Sequence, residues 1–409
     1  MKIPLSKPDI GEREIEYVTH VLRSGQLSLG PRLAEFEREF AAYAGTRFAV
    51  ATNSGTSALH LCVRALGIGA ADEVLTTSFS FVASSNCLLY ERALPSFVDI
   101  DPGTFNLDPV ALRETIARDC TWERVRRRLV NRRTGRIVRA ILPVHVFGMP
   151  CEMAPIIEVA REFHLRVIED ACEALGAEHC GRHVGTFGDA AAFAFYPNKQ
   201  MTTAEGGMVA TNDARVAALC RSMRNQGRDE DGGWIRHVRL GYNYRLSDLH
   251  CALGLAQLER IEELLAARAR VAQWYATALA TLPHVALPPD SGGLRRSWFA
   301  YVIQLAGGRT ELDRDHLMAG LRDRGIASQA YFQPIHRQPY FRETVPGPLP
   351  ALPETEAAAE RCLALPFFSS MTQDQVMEVG GALRELLAES RPGVERMPAQ
   401  YSRANQAAD

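Results

Sequence analysis

Lys199 falls within FAFYPNKQMTTAEGGM, residues 193–208, where an apolar run from Ala191 to Phe195 gives way to a polar turn closed by Gly206 and Gly207. A lysine after a strand is most often a solvated surface residue, because connecting segments run over the outside of a fold. Held partly out of water, the same amine loses its proton more readily and can attack a carbonyl. An aldehyde cofactor is captured in that way, as a Schiff base.

Such a cofactor needs companions: a cradle for an anion, a holder for a ring proton and a cover for a flat face. NSGTSALHL places Gly55, Thr56 and Ser57 at a strand-to-helix turn, where free N–H groups and the helix dipole favour a phosphate. Ser54 or Thr56 reads there equally well as a helix N-cap. VIEDACEALGA ends an apolar strand with Asp170, suited to pairing with a pyridinium N–H or to capping the next helix. Phe79 and Phe81 close another strand and either cover a ring or fill core. Asn243 and Arg245 stand just ahead of a long helical pattern in GYNYRLSDLHCALGLAQLERI. All of these lie beyond strand C-terminal ends, where open α/β sheets bind ligands. Their convergence favours pyridoxal phosphate on Lys199.

The elements that must position these groups alternate. RFAVATNSGTSALHLCVRALGIG reads strand, turn, helix; EVLTTSFSF, LPSFVDID, RIVRAILPVHVFG and LRVIED read as strands separated by helical patterns. That alternation predicts an α/β fold with a mostly parallel central sheet flanked by helices. A helical pattern from Leu246 to about Leu282 bridges to a smaller α+β domain. The expected division is a large domain over 1–260, a small one over 261–390, and a polar tail over 391–409 too poor in apolar residues to fold.

Composition narrows the classes further. Of the 409 residues 46% are hydrophobic and 23% charged, ordinary for a soluble globular protein, and the formal net charge of -2 argues against a nucleic-acid binder. No apolar run approaches the roughly 20 residues that span a bilayer, and the start carries no apolar leader-like stretch. Nine cysteines without a CxxC pair suit reduced thiols in a cytoplasm, and no Cys/His cluster has the spacing of a metal site. One segment stands apart: Arg118 to Arg139 holds nine arginines and two acidic residues. It reads as a solvated basic hairpin or helix, or as a clamp on a diphosphate or an acidic partner.

With these residues collected, the chain resembles the pyridoxal-phosphate sugar aminotransferases of the DegT/DnrJ/EryC1/StrS family, which have fold type I. SGQLSLGP, NSGTSALHL, DEVLTTSFSFVAS, LPVHVFG, VIEDACEALGA, FYPNKQMTTAEGGM and GYNYRLSDLHCALGLAQLERI carry the likeness, which runs from about residue 3 to 388. The resemblance implies that Lys199 is the Schiff-base lysine and the acid/base, with Asp170 on the ring nitrogen and Phe81 stacked on the ring. It places Glu173 beside the ring hydroxyl and Thr56 and Ser57 on the phosphate, with Asn243 reaching in from the other subunit of a homodimer with shared active sites. Relatives that dehydrate keto-sugars have histidine in place of the lysine, so Lys199 favours transamination. Two departures stand out: Ala194 replaces a serine or threonine that touches the phosphate in the family, and the Arg118–Arg139 segment is longer than the family's connection.

The implied reaction moves an amino group from L-glutamate to a keto-sugar on a nucleotide, a 4-keto-6-deoxy hexose as in perosamine synthases. The rival readings are the same chemistry on a keto-cyclitol or other antibiotic precursor, and a regulatory relative without turnover. Intact Lys199, Asp170 and phosphate turn weigh against the last.

Overall fold

The computed structural model describes residues 1–228, 236–289, 292–345, 347–348 and 350–389, so the tail expected over 391–409 lies outside the described residues. The first half runs α1 (Glu12–Ser24), α2 (Pro31–Ala44), β1 (Phe48–Thr52), α3 (Gly55–Ala65), β2 (Asp72–Thr77), α4 (Ala83–Leu89), β3 (Leu94–Val98), α5 (Pro109–Asp119), β4 (Cys120–Glu123), β5 (Arg128–Asn131), β6 (Ile137–Leu142), α6 (Met153–Glu162) and β7 (Arg166–Asp170). A small hairpin, β8 (Glu178–His179) and β9 (Arg182–His183), precedes β10 (Ala190–Ala194), β11 (Gly207–Thr211) and α7 (Ala214–Arg224). The remainder comprises α8 (Asp248–Glu259), α9 (Ile261–Leu279), β12 (Val285–Ala286), β13 (Tyr301–Leu305), α10 (Glu311–Asp323), α11 (Pro339–Thr344), α12 (Pro353–Arg361), β14 (Cys362–Leu365) and α13 (Gln373–Glu389). No helix among the described residues is long and apolar enough to cross a membrane.

The main sheet is ordered β1-β11-β10-β7-β6-β2-β3. Along that path only β11 runs against its neighbours. Its middle strands are buried on both faces, which explains their unbroken apolar sequences, AAAFA in β10 and GMVAT in β11. Alternation assigns the two faces. Ala190 and Ala192 of β10 join a core with α3, while Ala191 and Phe193 join Phe36 and Phe40 of α2 in another. A separate core gathers α9, α10, α13 and the antiparallel β12-β13-β14 sheet, and Ile3 reaches into it from the start of the chain.

One expectation changes and another narrows. The helical pattern over 246–282 is two helices, broken at Arg260 (φ -117°, ψ 23°). The break has no proline or glycine; the Arg260 guanidinium is held by Asp9 and Glu14 at 2.9 and 2.7 Å, and the halves bury different faces. Leu255 and Leu258 of α8 pack with α2, whereas Val271 and Tyr275 of α9 pack with α13. The arginine-rich segment is the β4–β5 hairpin, added to β6 through Leu129↔Val138 and Val130↔Ile137. That pairing sits at the start of β6, so the hairpin lies at the opposite end of the parallel strands from Asp170. Its arginines are used locally: Arg128 on Glu123 (2.7 Å), Arg132 on the Arg118 carbonyl (2.6 Å) and Arg139 on Asp72 (3.2 Å). The diphosphate clamp therefore has no support within the chain's own site.

Beside Asp170, on the other face of β7, Glu169 is fully buried. Its carboxylate accepts the N–H groups of Gly185 (2.7 Å), Phe187 (2.7 Å) and Gly188 (2.8 Å). His145 Nδ1 accepts from the Cys151 N–H at 3.0 Å, which leaves Nε2 to donate to Glu169 at 3.2 Å. Glu169→Gln turns an amide donor toward backbone donors, and should lower unfolding stability by about 3 kcal/mol. An unfolding free energy from denaturant titration within about 0.5 kcal/mol of the parent would refute this account.

Candidate active site

The site begins with close backbone approach. Gly207 opens β11, and a Cβ there would lie 2.3 Å from the Ser54 carbonyl oxygen, so only glycine lets the turn before α3 rest on the sheet. A Cβ at Gly55 would meet the Ala194 Cβ at 2.6 Å and the Cys172 Sγ at 3.0 Å, which packs this turn against the exits of β10 and β7. Ser54, not Thr56, is the N-cap of α3: its Oγ accepts the Ser57 N–H at 3.1 Å, and Ser57 Oγ donates to Asn53 Oδ1 at 2.7 Å. The N–H groups of Gly55 and Thr56 have no partner four residues back, and they point out of the helix start with its positive dipole end.

Asp170 follows from the register. Ala192 of β10 pairs with Asp170 of β7, so the carboxylate emerges beside the β10 exit. It is 5% exposed, and Oδ1 accepts the Cys172 N–H at 3.1 Å. The Cys172 thiol also bonds this carboxylate, whose remaining lone pairs can accept from a partner that donates a proton.

Lys199 is not the solvated lysine that loop position alone favours. Its side chain is 13% exposed, and its N–H closes a turn on the Tyr196 carbonyl at 2.9 Å. Nζ stands 3.6 Å from Glu173 Oε1 and 4.0 Å from the centre of the Phe299 ring. The other Glu173 oxygen accepts the Phe147 N–H at 2.9 Å. Phe147 holds a left-handed backbone (φ 53°), a costly choice for a bulky residue and a frequent mark of a functional site. Burial raises the Glu173 carboxyl above the usual carboxylate range, against the opposing pull of Lys199 and the Phe147 N–H.

The two phenylalanines divide. Phe79 is core, packed among Phe105, Phe147 and Phe332, whereas Phe81 is 61% exposed past the end of β2. Asn243 is exposed as well. Tyr242 and Tyr244 stack on each other at 4.8 Å against His60, which turns the intervening Asn243 side chain outward. Its carbonyl accepts from Asn53 Nδ2 at 3.4 Å, next to the phosphate turn of its own chain. Arg245 bonds Asn225 Oδ1 at 3.1 Å.

Several neighbours were not legible in the sequence: Phe299, Arg268, Tyr331 and Phe147. Tyr331 stacks on Phe147 (6.3 Å), and burial pushes its hydroxyl up to about 12 with Glu173 nearby. Phe299 and Tyr331 come from segments over a hundred residues downstream, without local motifs. Arg268 alone left a trace, as a charge among the small residues of AARARVA.

The donor set fits pyridoxal phosphate: N–H groups without a helical partner and hydroxyls at a helix start for a dianion, a buried carboxylate that can still accept, and a shielded amine. The comparisons decide the family. A sequence model of the DegT/DnrJ/EryC1/StrS aminotransferase family matches residues 8–384. The chain belongs to that family. It is a pyridoxal-phosphate-dependent aminotransferase of fold type I. This aminotransferase is 39% identical over 393 residues to GDP-perosamine synthase of Caulobacter vibrioides, covering 94% of this chain and 98% of that protein. It is 35% identical over 395 residues to the spore coat polysaccharide biosynthesis protein SpsC of Bacillus subtilis, covering 94% and 97%. Among solved structures, Helicobacter pylori PseC, an aminotransferase in pseudoaminic acid biosynthesis, superposes with a TM-score of 0.85 at 26% identity over 95% of this chain and 100% of that one. S. venezuelae DesV gives 0.83 at 32% identity over 95% and 99%.

Because the Glu173 proton is bound more tightly in the folded chain than in the unfolded one, the associated stabilisation is present below the unfolded value and lost as pH rises through the raised folded value. Glu173→Gln removes that ionisation. It should flatten the fall in Tm of the cofactor-free aminotransferase across that interval, where one such group contributes a slope of up to about 1.4 kcal/mol per pH unit. An unchanged slope would mean that Glu173 is already ionised below the interval.

Proposed function

We propose that this aminotransferase takes the amino group of L-glutamate and places it on a keto-sugar carried by a nucleotide, a 4-keto-6-deoxy hexose. The observation that supports it best is the shielded Lys199 amine, 3.6 Å from Glu173, in a chain 39% identical to a GDP-perosamine synthase. Pyridoxal phosphate, when bound, supplies the electron sink for a carbanion at the amino-bearing carbon. Gly55, Thr56 and Ser57 would hold its phosphate at the α3 start. Asp170 would accept the ring-nitrogen proton, Phe81 would cover the ring, and Glu173 would lie by its hydroxyl. Lys199 would hold the aldehyde group through Nζ and, when free, serve as the acid/base that takes up and returns a proton. In this reading residues 1–260 bear the cofactor and 261–390 supply Phe299. The nine cysteines, all free thiols, suit a cytoplasmic enzyme.

Borohydride reduction and peptide mapping should place the cofactor's mass on Lys199, and the reduced chain should lose all activity. In a panel with glutamate as donor, a nucleotide-linked 4-keto-6-deoxy hexose should yield its amino-sugar while keto-cyclitols stay unchanged. A label on another lysine, or turnover of a cyclitol alone, would reject the respective half of the proposal.

The outward-facing Asn243 supports the second part, a homodimer in which each subunit's Asn243 reaches the other's phosphate. Lys199→Ala and Asn243→Ala homodimers should be inactive and cofactor-poor respectively. A hybrid of the two, purified on separate tags, contains one site with both residues intact and should recover about half of the parental activity. A well-folded hybrid with no recovery would rule the shared site out.

A further inference from the structure

Arg268, two turns into α9, is 2% exposed and lies behind the lysine turn. No carboxylate bonds it among the described residues. Its two terminal nitrogens are held instead by carbonyl oxygens from two remote segments, while Nε has no partner among the described residues: Nη2 donates to Lys199 at 2.7 Å and Asn198 at 3.4 Å, and Nη1 to Phe299 at 3.2 Å and Trp298 at 3.4 Å. Lys199 and Phe299 are the two residues whose side chains meet, with Nζ 4.0 Å above the ring. One planar fork therefore fixes the backbone on both sides of that contact without touching either side chain. The next pair along is zipped similarly, with Gln200 Nε2 donating to Ser297 Oγ at 3.0 Å and to the Glu173 carbonyl at 2.6 Å.

We infer that Arg268 is a positioning residue for Lys199, holding the lysine carbonyl against the Phe299 segment so that the amine stays in place when it is displaced from the cofactor. Burying a guanidinium without a counter-ion is costly, and burial lowers this one to about 10. A hydrophobic residue would fill the space more cheaply, but it would leave four carbonyls without donors and the lysine turn untethered.

The inference rests on Lys199 as the cofactor lysine, which borohydride mapping of the parent tests by itself. Two variants separate geometry from charge: Arg268→Lys keeps the charge and loses the fork, and Arg268→Gln keeps an amide donor and loses the charge. In the cofactor-free protein, amide exchange over residues 196–203 should rise by about 10-fold in both, with α3 and the main sheet unchanged. In the loaded enzyme both should lose roughly 10- to 100-fold in kcat with little change in KM for glutamate, as expected when a reacting group is displaced by about an ångström. Unchanged exchange over 196–203 would overturn the inference. So would an exchange increase spread over the whole chain, which marks a merely structural role.

Discussion

The register between β7 and β10 is the constraint on which the rest of the site depends. Side chains alternate along a strand, so the adjacent carboxylates of β7 face opposite ways. Glu169 goes into a buried nest of three backbone N–H groups and a histidine, and Asp170 goes to the exit beside Ala192 and Cys172. A slip of one residue would exchange them, aiming the fully satisfied carboxylate into the site and leaving the other unpaired in the core. The nest therefore does more than stabilise a loop. It makes the working register much lower in energy than its neighbours.

Around that register the chain assembles by close approach rather than by a large cavity. Gly207 and Gly55 let the α3 turn lie directly on β11, β10 and Cys172, and the antiparallel β11 returns the chain from the lysine turn to pair with β1. The turn after β1 and the lysine turn between β10 and β11 thus lie at one end of three adjacent strands, β10, β11 and β1. The C-terminal core contributes from the other side, through the extended segment 295–299. Its odd residues, Ser297 and Phe299, face the lysine turn, and its even ones, Arg296 and Trp298, stack on each other at 4.0 Å facing away.

Much of this was legible in the sequence because the relevant signals are local. A buried parallel strand is a short apolar run, a phosphate turn is small residues before a helix, and each of those stretches contains its own chemistry. The placement of Lys199, Asp170 and Gly55–Ser57 just beyond strand ends was legible for that reason. What escaped needed long-range information. The break at Arg260 carries no helix-breaking residue, and its cause is a pair of carboxylates some 250 residues away in the chain. Arg268 is charged and yet buried, against ordinary preference, because its partners are carbonyls that no sequence pattern marks. The arginine-rich segment was legible as a basic hairpin, but which end of the sheet it occupied depends on the pairing of β5 with the start of β6.

That hairpin also separates what the protein can change from what it cannot. Its turn holds Val125, 99% exposed, and Arg127 in a left-handed conformation, while its base is sealed by Trp122 on Phe163 and by strand pairing to β6. Extra residues inserted at the tip would enter solvent at the far end of the strands from the chemistry. For a peptide tag, a fluorophore attachment point or a tether to a surface, this is the position where the molecule offers a handle that leaves its working end facing away.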